Sequence, residues 1–267
     1  MGKYSVVLKM IITMAQVLTY FLILSRLIGV ILTAPVFSSR QIFVLAKMAM
    51  VIWTAALLIF VVPLPARLPD TNFAFFLALI VELLIGVLIG FTADLMITSI
   101  EFAGSIMDTQ AGLSVASLLD PSTGRNAALL EQVLKKVAVI IFILIDGHHM
   151  VLSALQQSFN VLPVGAPVDM ANAGRFVLTF GKDIFKVAVQ LSAPILLIVF
   201  LVDFGFGILN RVAEQINVFQ LGFQVKPIVA ILVLLAITPS LVQSILSIME
   251  GVMEKLISVM SSLQLAA

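Results

Sequence analysis

Hydrophobic positions along the chain come in blocks of helix length and longer, separated by short polar or proline-bearing breaks. A membrane-spanning helix needs about 20 mostly apolar residues, and several blocks reach that length. The first runs from about Met10 to Thr33 and closes at Ala34-Pro35, where proline disfavours helix in the residue before it; it carries Arg26 inside. Phe43 to Val62 follows, stopped by PLPARLPD at 63–70, an extramembrane loop by its prolines and charges. A third block starts at Asn72-Phe73 and does not end cleanly until Asp120-Pro121. As a helix it would be roughly 70 Å long, more than twice a bilayer core, so it must fold back, break or stand clear of the lipid.

Leu129 to Leu162 is apolar apart from Asp146-Gly147-His148-His149, which predicts a tight turn between two shorter helices. Beyond a loop at 163–174, a block from Arg175 to about Asn210 carries Pro194 as an expected kink. Val225 to Leu246 carries Lys226, Pro227 and an expected break at Thr238-Pro239-Ser240, and an amphipathic stretch at 247–260 finishes the chain. Nothing alternates with period two for ten residues at a time, as an outer-membrane barrel would require. The fold class is therefore all-α, a single integral-membrane subunit over 1–267, and MGKYSVVLKMIITMAQ, lacking an Ala-x-Ala-like cleavage site, reads as a retained first span.

Within these apolar blocks the polar residues are not scattered. Asp94, Thr98, Glu101, Ser105, Asp108 and Gly112 are spaced by four and three in turn, which puts them on one helical face. Asp203, Gly207, Asn210, Glu214 and Asn217 repeat the spacing. Ionisable groups in apolar helices cost a few kcal/mol or more and face a bundle interior, a partner or a water-filled path. That expectation covers Arg26, Glu82, Asp94, Glu101, Asp108, Asp203 and Arg211: Arg26 neutralises one of the acids and the others pack against neighbouring subunits, or the acids form an ion relay. Gly86 and Gly90 make a small-xxx-small pair that lets helices approach closely, and Gly205 and Gly207 could do the same.

Composition narrows the function. The chain has 267 residues, 61% hydrophobic and 11% charged, with a mean hydropathy of +1.20, outside the range of a soluble globular domain. A formal charge of +1 supplies no field to gather nucleic acid. The absence of cysteine removes disulfides, thiolate metal sites and thiol nucleophiles. Asp203-Phe204-Gly205 spells a kinase metal-binding triplet but lacks the other kinase signatures. His148 and His149, the two histidines, are neighbours and lack the i, i+4 spacing of a helical zinc pair. No phosphate loop, dinucleotide fingerprint or nucleophile elbow is present. The reading is of a protein without enzymatic chemistry, cofactor or metal.

GLSVASLLDPSTG at 112–124 is the unusual segment. Gly112, Ser114, Ala116 and Ser117 are small, Leu113, Val115, Leu118 and Leu119 are apolar, and Asp120-Pro121-Ser122-Thr123-Gly124 is a strong turn signal. Exposed to water, the segment would show apolar side chains; exposed to lipid, it would leave backbone groups unpaired. It belongs against its own fold or inside a pore.

The chain resembles the export-gate family of type III secretion systems, in its flagellar branch. The likeness is carried by SRLIGVILTAPVFSSRQIF at 25–43, ELLIGVLIGF at 82–91, EFAGSIMDTQAGLSVASLLDPSTG at 101–124, DGHHMVLSALQQSFNVLPVG at 146–165 and DFGFGILNRVAEQINVFQLGFQVKP at 203–227. The family's prolines near Glu214 and Gln224 are missing here. The resemblance implies a fold of helical hairpins with long kinked helices, lifted partly out of the bilayer. It implies one copy in a helical assembly with FliP and FliQ, with FlhB docked outside, in the bacterial inner membrane at the flagellar basal body. Unfolded flagellar proteins would pass through. Gly112 through Asp120 would be the family's plug, and the polar faces would be buried between subunits. Two alternatives stand beside this: a virulence-system homologue, and a secondary transporter using Glu82, Asp94 and Asp203 as coupling groups.

Overall fold

The computed structural model describes residues 14–65, 71–114, 128–167, 170–213, 215, 217–251 and 255; among them the chain is helical, with no strand. Seven helices follow in order among the described residues: α1 Met14–Thr33, α2 Val44–Leu58, α3 Asn72–Ala111, α4 Leu129–Leu144, α5 Gly147–Val161, α6 Met170–Val212 and α7 Val218–Glu250. Among the described residues four segments are long and apolar enough to cross a membrane: α1, α3, Leu178–Val212 of α6, and α7; α4 with α5 makes a fifth if the pair crosses as one broken span. The protein is an all-α integral-membrane protein.

Local chemistry explains the ends. α1 stops before Pro35, and Val36 then turns the chain at φ 68°. Asp146, at φ 57°, is left-handed and separates α4 from α5, at the turn expected from Asp146-Gly147. α3 holds 40 residues in one helix, about 60 Å long, and ends at Ala111, inside the apolar block that runs on to Asp120-Pro121 in the sequence.

Thr238-Pro239-Ser240 does not end a helix. α7 runs through Pro227 and Pro239 for 33 residues. Proline removes one N–H and leaves the carbonyl four residues earlier without its helical donor, a loss that kinks or weakens a helix but need not end it. The Thr238 hydroxyl donates to the Leu234 carbonyl at 2.7 Å, one residue before the Leu235 carbonyl that Pro239 leaves without its helical donor.

The chain divides into two compact units, Met1–Asp94 with His148–Phe176 and Met253–Ala267, and Leu95–Gly147 with Val177–Val252. In the first, α1 packs on α2 and on the opening half of α3, with Leu22, Ile23, Leu27, Val30, Ile85, Ile89, Leu155 and Phe159 almost fully buried. α1 and α3 meet backbone to backbone. A Cβ on Gly86 would run into the Arg26 carbonyl, one on Gly29 into that of Leu83, and one on Gly90 into the Thr33 hydroxyl. The second unit buries Ile100, Ala103, Met107 and Ala111 of α3, Leu134 and Ala138 of α4, Ile195 and Val199 of α6, and Ile245 of α7.

Candidate functional site

α3 ends just where the unusual segment begins. The Gly112 N–H donates to Thr109 O at 3.2 Å and the Leu113 N–H to Asp108 O at 3.0 Å, which closes the last turn around Gly112 at φ 75°. Glycine takes that left-handed conformation without steric cost. On the other side of the segment, α4 starts after Ala128, whose methyl group cannot cap a helix. Asp108 does the capping from 22 residues away: its Oδ1 accepts the Leu130 N–H at 3.0 Å and its Oδ2 the Glu131 N–H at 2.9 Å. The carboxylate is buried, with Asp108 only 1% exposed.

Two further contacts of α3 with α4 flank this cap. Gly104 lies against the Glu131 backbone so closely that a Cβ would sit 2.5 Å from Glu131 Cα. Lys135 pairs with Glu101 at 2.7 Å on the more exposed side. Glu101, Gly104 and Asp108 recur at three and four residues, so one stripe of α3 fastens α4. The segment is thereby held at both stems. Leu113 and Ser114 are half-buried, while Val115, Ala116, Ser117, Leu118, Leu119 and Asp120 lie outside the described residues.

Arg26 and Glu82, each about fully buried, meet in the first unit. Arg26 Nε donates to Glu82 Oε2 at 2.6 Å; Nη1 donates to Ser158 Oγ at 3.0 Å, and both Nη1 and Nη2 donate to the Leu162 carbonyl at 3.1 Å. The guanidinium lies 4.3 Å from the Phe159 ring centroid. Glu82 Oε1 accepts the Gly165 N–H at 2.9 Å. One ion pair thus ties α1, α3 and the end of α5 together with their backbone donors and acceptors satisfied. Both Glu82 oxygens are engaged within the protein, one by Arg26 and one by the Gly165 N–H.

Asp94 is half-buried on α3. The second polar face differs from its expected form. α6 ends at Val212, so Asp203, Gly207 and Asn210 share a helix while Asn217 begins the next one, accepting the Gln220 N–H at 3.1 Å as the cap of α7. Glu214 lies outside the described residues. Asp203, Gly207, Asn210 and Asn217 nevertheless line one cavity of about 580 Å³, together with Gly112, Phe206, Phe223 and Lys226. Lys226 of α7 pairs with Asp203. Asp203, Gly207, Asn210 and Arg211 are exposed, so polar groups stand on the open surface of an apolar helix.

Ser158, Leu162 and Gly165 around the ion pair were not foreseen from sequence, nor was Lys226 as the counter-ion of Asp203. The first three act largely through backbone groups or a plain hydroxyl and carry no signal; a basic residue one apolar helix away from Asp203 was the available clue. His148 and His149 sit side by side, ring centroids 4.1 Å apart.

Comparison with known proteins agrees with this architecture. The family described as bacterial export proteins, family 1, matches residues 17–252. The flagellar biosynthetic protein FliR of Escherichia coli (strain K12) is 30% identical over 223 residues, covering 82% of this chain and 84% of that protein. FliR of Bacillus subtilis (strain 168) is 28% identical over 219 residues, 81% of this chain and 84% of that protein. The Yop proteins translocation protein T of Yersinia pestis is 32% identical over 223 residues, 81% and 84% respectively. Flagellar and virulence relatives thus match at similar identity and coverage, and what they share is type III secretion export. With the match running from within α1 to just past the end of α7, this chain belongs to the FliR/SctT family of bacterial export proteins.

Proposed function

We propose that this protein is a non-enzymatic core subunit of the flagellar type III export gate, present in one copy and forming the channel with FliP and FliQ, with FlhB outside. It resides in the bacterial inner membrane within the flagellar basal body. Gly112 to Asp120 serve as a plug that closes the channel at rest and moves when an unfolded flagellar protein arrives. Asp146-Gly147-His148-His149 favours the flagellar over the virulence branch.

The observation that carries this reading is the pair of fastened stems. A segment of small and apolar residues leaves α3 at Gly112 and returns at α4, and the buried Asp108 carboxylate accepts from α4 while its own carbonyl closes α3. Such anchoring suits a segment that must occupy one place. Apolar constrictions can exclude water and ions without a charged gate, which a polypeptide-wide conduit needs in order not to leak protons. The exposed Asp203, Asn210 and Arg211 support assembly, because lipid cannot solvate them and partner subunits can.

Two measurements test the reading. Co-expression of the tagged chain with FliP and FliQ, followed by native mass spectrometry, should give a heteromeric particle holding one copy of this chain; a lone monomer or homodimer that ignores those partners sinks it. Deleting Gly112 to Leu119 in the assembled gate should raise ion leak, and unchanged conductance removes the plug role.

A further inference from the structure

The first acidic residue in the chain is Asp70, whereas Lys3, Lys9, Arg26, Arg40, Lys47 and Arg67 all precede it. Glu82 neutralises Arg26. Arg40 and Lys47 have no ion pair or side-chain hydrogen bond among the described residues. Lys47 is nonetheless half-buried. It stands at the rim of a groove of about 380 Å³ between α1 and α2, whose other walls are entirely apolar, among them Leu24, Ile28, Leu32, Val51 and Ile52. A cation in the first turn of α2 is opposed by the helix dipole, so Lys47 is not there for its own helix.

A long apolar slot with one unpaired cation at its edge matches one kind of molecule, an acyl chain carrying an anionic headgroup. We propose that the α1–α2 groove binds one anionic phospholipid, its hydrocarbon lying along Leu24, Ile28 and Ile52 and its phosphate on the Lys47 ammonium. The volume lies in the range of small-molecule sites. An apolar helix from another subunit would fill the slot but leave a desolvated ammonium without a partner, a costly arrangement in a membrane. A lipid phosphate satisfies it, and basic positions beside spanning helices favour anionic lipid for that reason.

The same helix pair supplies its own comparator. A second groove, about 400 Å³ and lined by Val17, Tyr20, Phe21, Ala56, Ile59 and Phe60 among others, has no charged residue at all. It accepts hydrocarbon without choosing a headgroup.

The test is native mass spectrometry of the full chain in mild detergent with equal amounts of palmitoyl-oleoyl phosphatidylglycerol and phosphatidylethanolamine. The chain should retain one phosphatidylglycerol with about tenfold preference. Lys47→Met, which keeps the apolar stem, should bring the two lipids level, and Lys47→Arg should restore the preference. Ile28→Trp should fill the slot and abolish the selective binding, while Ala56→Trp in the uncharged groove should leave it intact. Preference that survives Lys47→Met overturns the proposal. So does a photocrosslinker at Met48 that captures a protein subunit instead of lipid in native membranes.

Discussion

Asp108 caps a helix it does not belong to: its Oδ2 accepts the N–H of Glu131, 23 residues further along, at 2.9 Å. Leu130 donates to the other oxygen, so one buried carboxylate replaces the cap that Ala128 cannot provide. The next residues after its own helix are those of the unusual segment. Asp108 therefore governs the distance between the two ends of that segment.

Asp108→Ala should cost about 1–3 kcal/mol, because it removes two charge-assisted acceptors and leaves buried donors unmet. Asp108→Asn keeps one acceptor and should cost less. The melting temperature of the purified chain in detergent reads the stability. Ion leak through the assembled gate reads the function: on the proposed plug role, Asp108→Ala raises leak although every plug residue is intact. Full stability with Asp108→Ala would show that the cap contributes nothing.

The buried pair of Arg26 and Glu82 yields a non-additive prediction. Arg26→Met strands the Glu82 carboxylate in the core and should destabilise by about 3–5 kcal/mol. Glu82→Leu strands the guanidinium in the same way. The double variant leaves no buried charge and should be more stable than either single one. The comparison is made on expression yield and thermal unfolding of all three; additive losses would refute a closed ion pair.

Much of this architecture was legible because apolar length and turn chemistry are local. The turn at Asp146-Gly147 and the end of α1 before Pro35 follow from backbone preferences of two or three residues. Pro239 misled for a physical reason: a proline removes one hydrogen bond from a helix but does not by itself force it to end, and α7 continues through it. The face from Asp203 to Asn217 misled differently, since helical spacing can be counted across a break; nothing in 213–217 punctuates strongly, yet Asn217 begins a new helix. Ser158 and Leu162 could not be paired with Arg26 across 132 and 136 residues. No local pattern encodes such a contact.

Gly86 and Gly205 should respond oppositely to alanine. At Gly86 a Cβ meets the Arg26 carbonyl, a backbone atom that cannot swing away; Gly86→Ala should push α1 off α3 and cost about 1–3 kcal/mol. At Gly205 nothing lies within 4 Å of a Cβ, and Gly205→Ala, about two turns before the end of α6, should stabilise the isolated chain by about 0.5–1 kcal/mol. Thermal unfolding of the two variants, measured side by side, decides it.

Lys226 and Asp203 separate stability from assembly. Their pair is partly open, with side-chain exposures of 27% and 43%. In the isolated chain Lys226→Met should therefore change stability by less than about 1 kcal/mol. The proposed gate places the same pair under a partner, where losing the ammonium leaves Asp203 charged and covered without a counter-ion. Lys226→Met should then reduce incorporation into the complex with FliP and FliQ while the free chain melts normally. Lys226→Met with Asp203→Leu should recover part of it. Native mass spectrometry of co-expressed subunits measures incorporation, and a Lys226→Met chain that assembles as well as the parent would show that this face stays open in the gate.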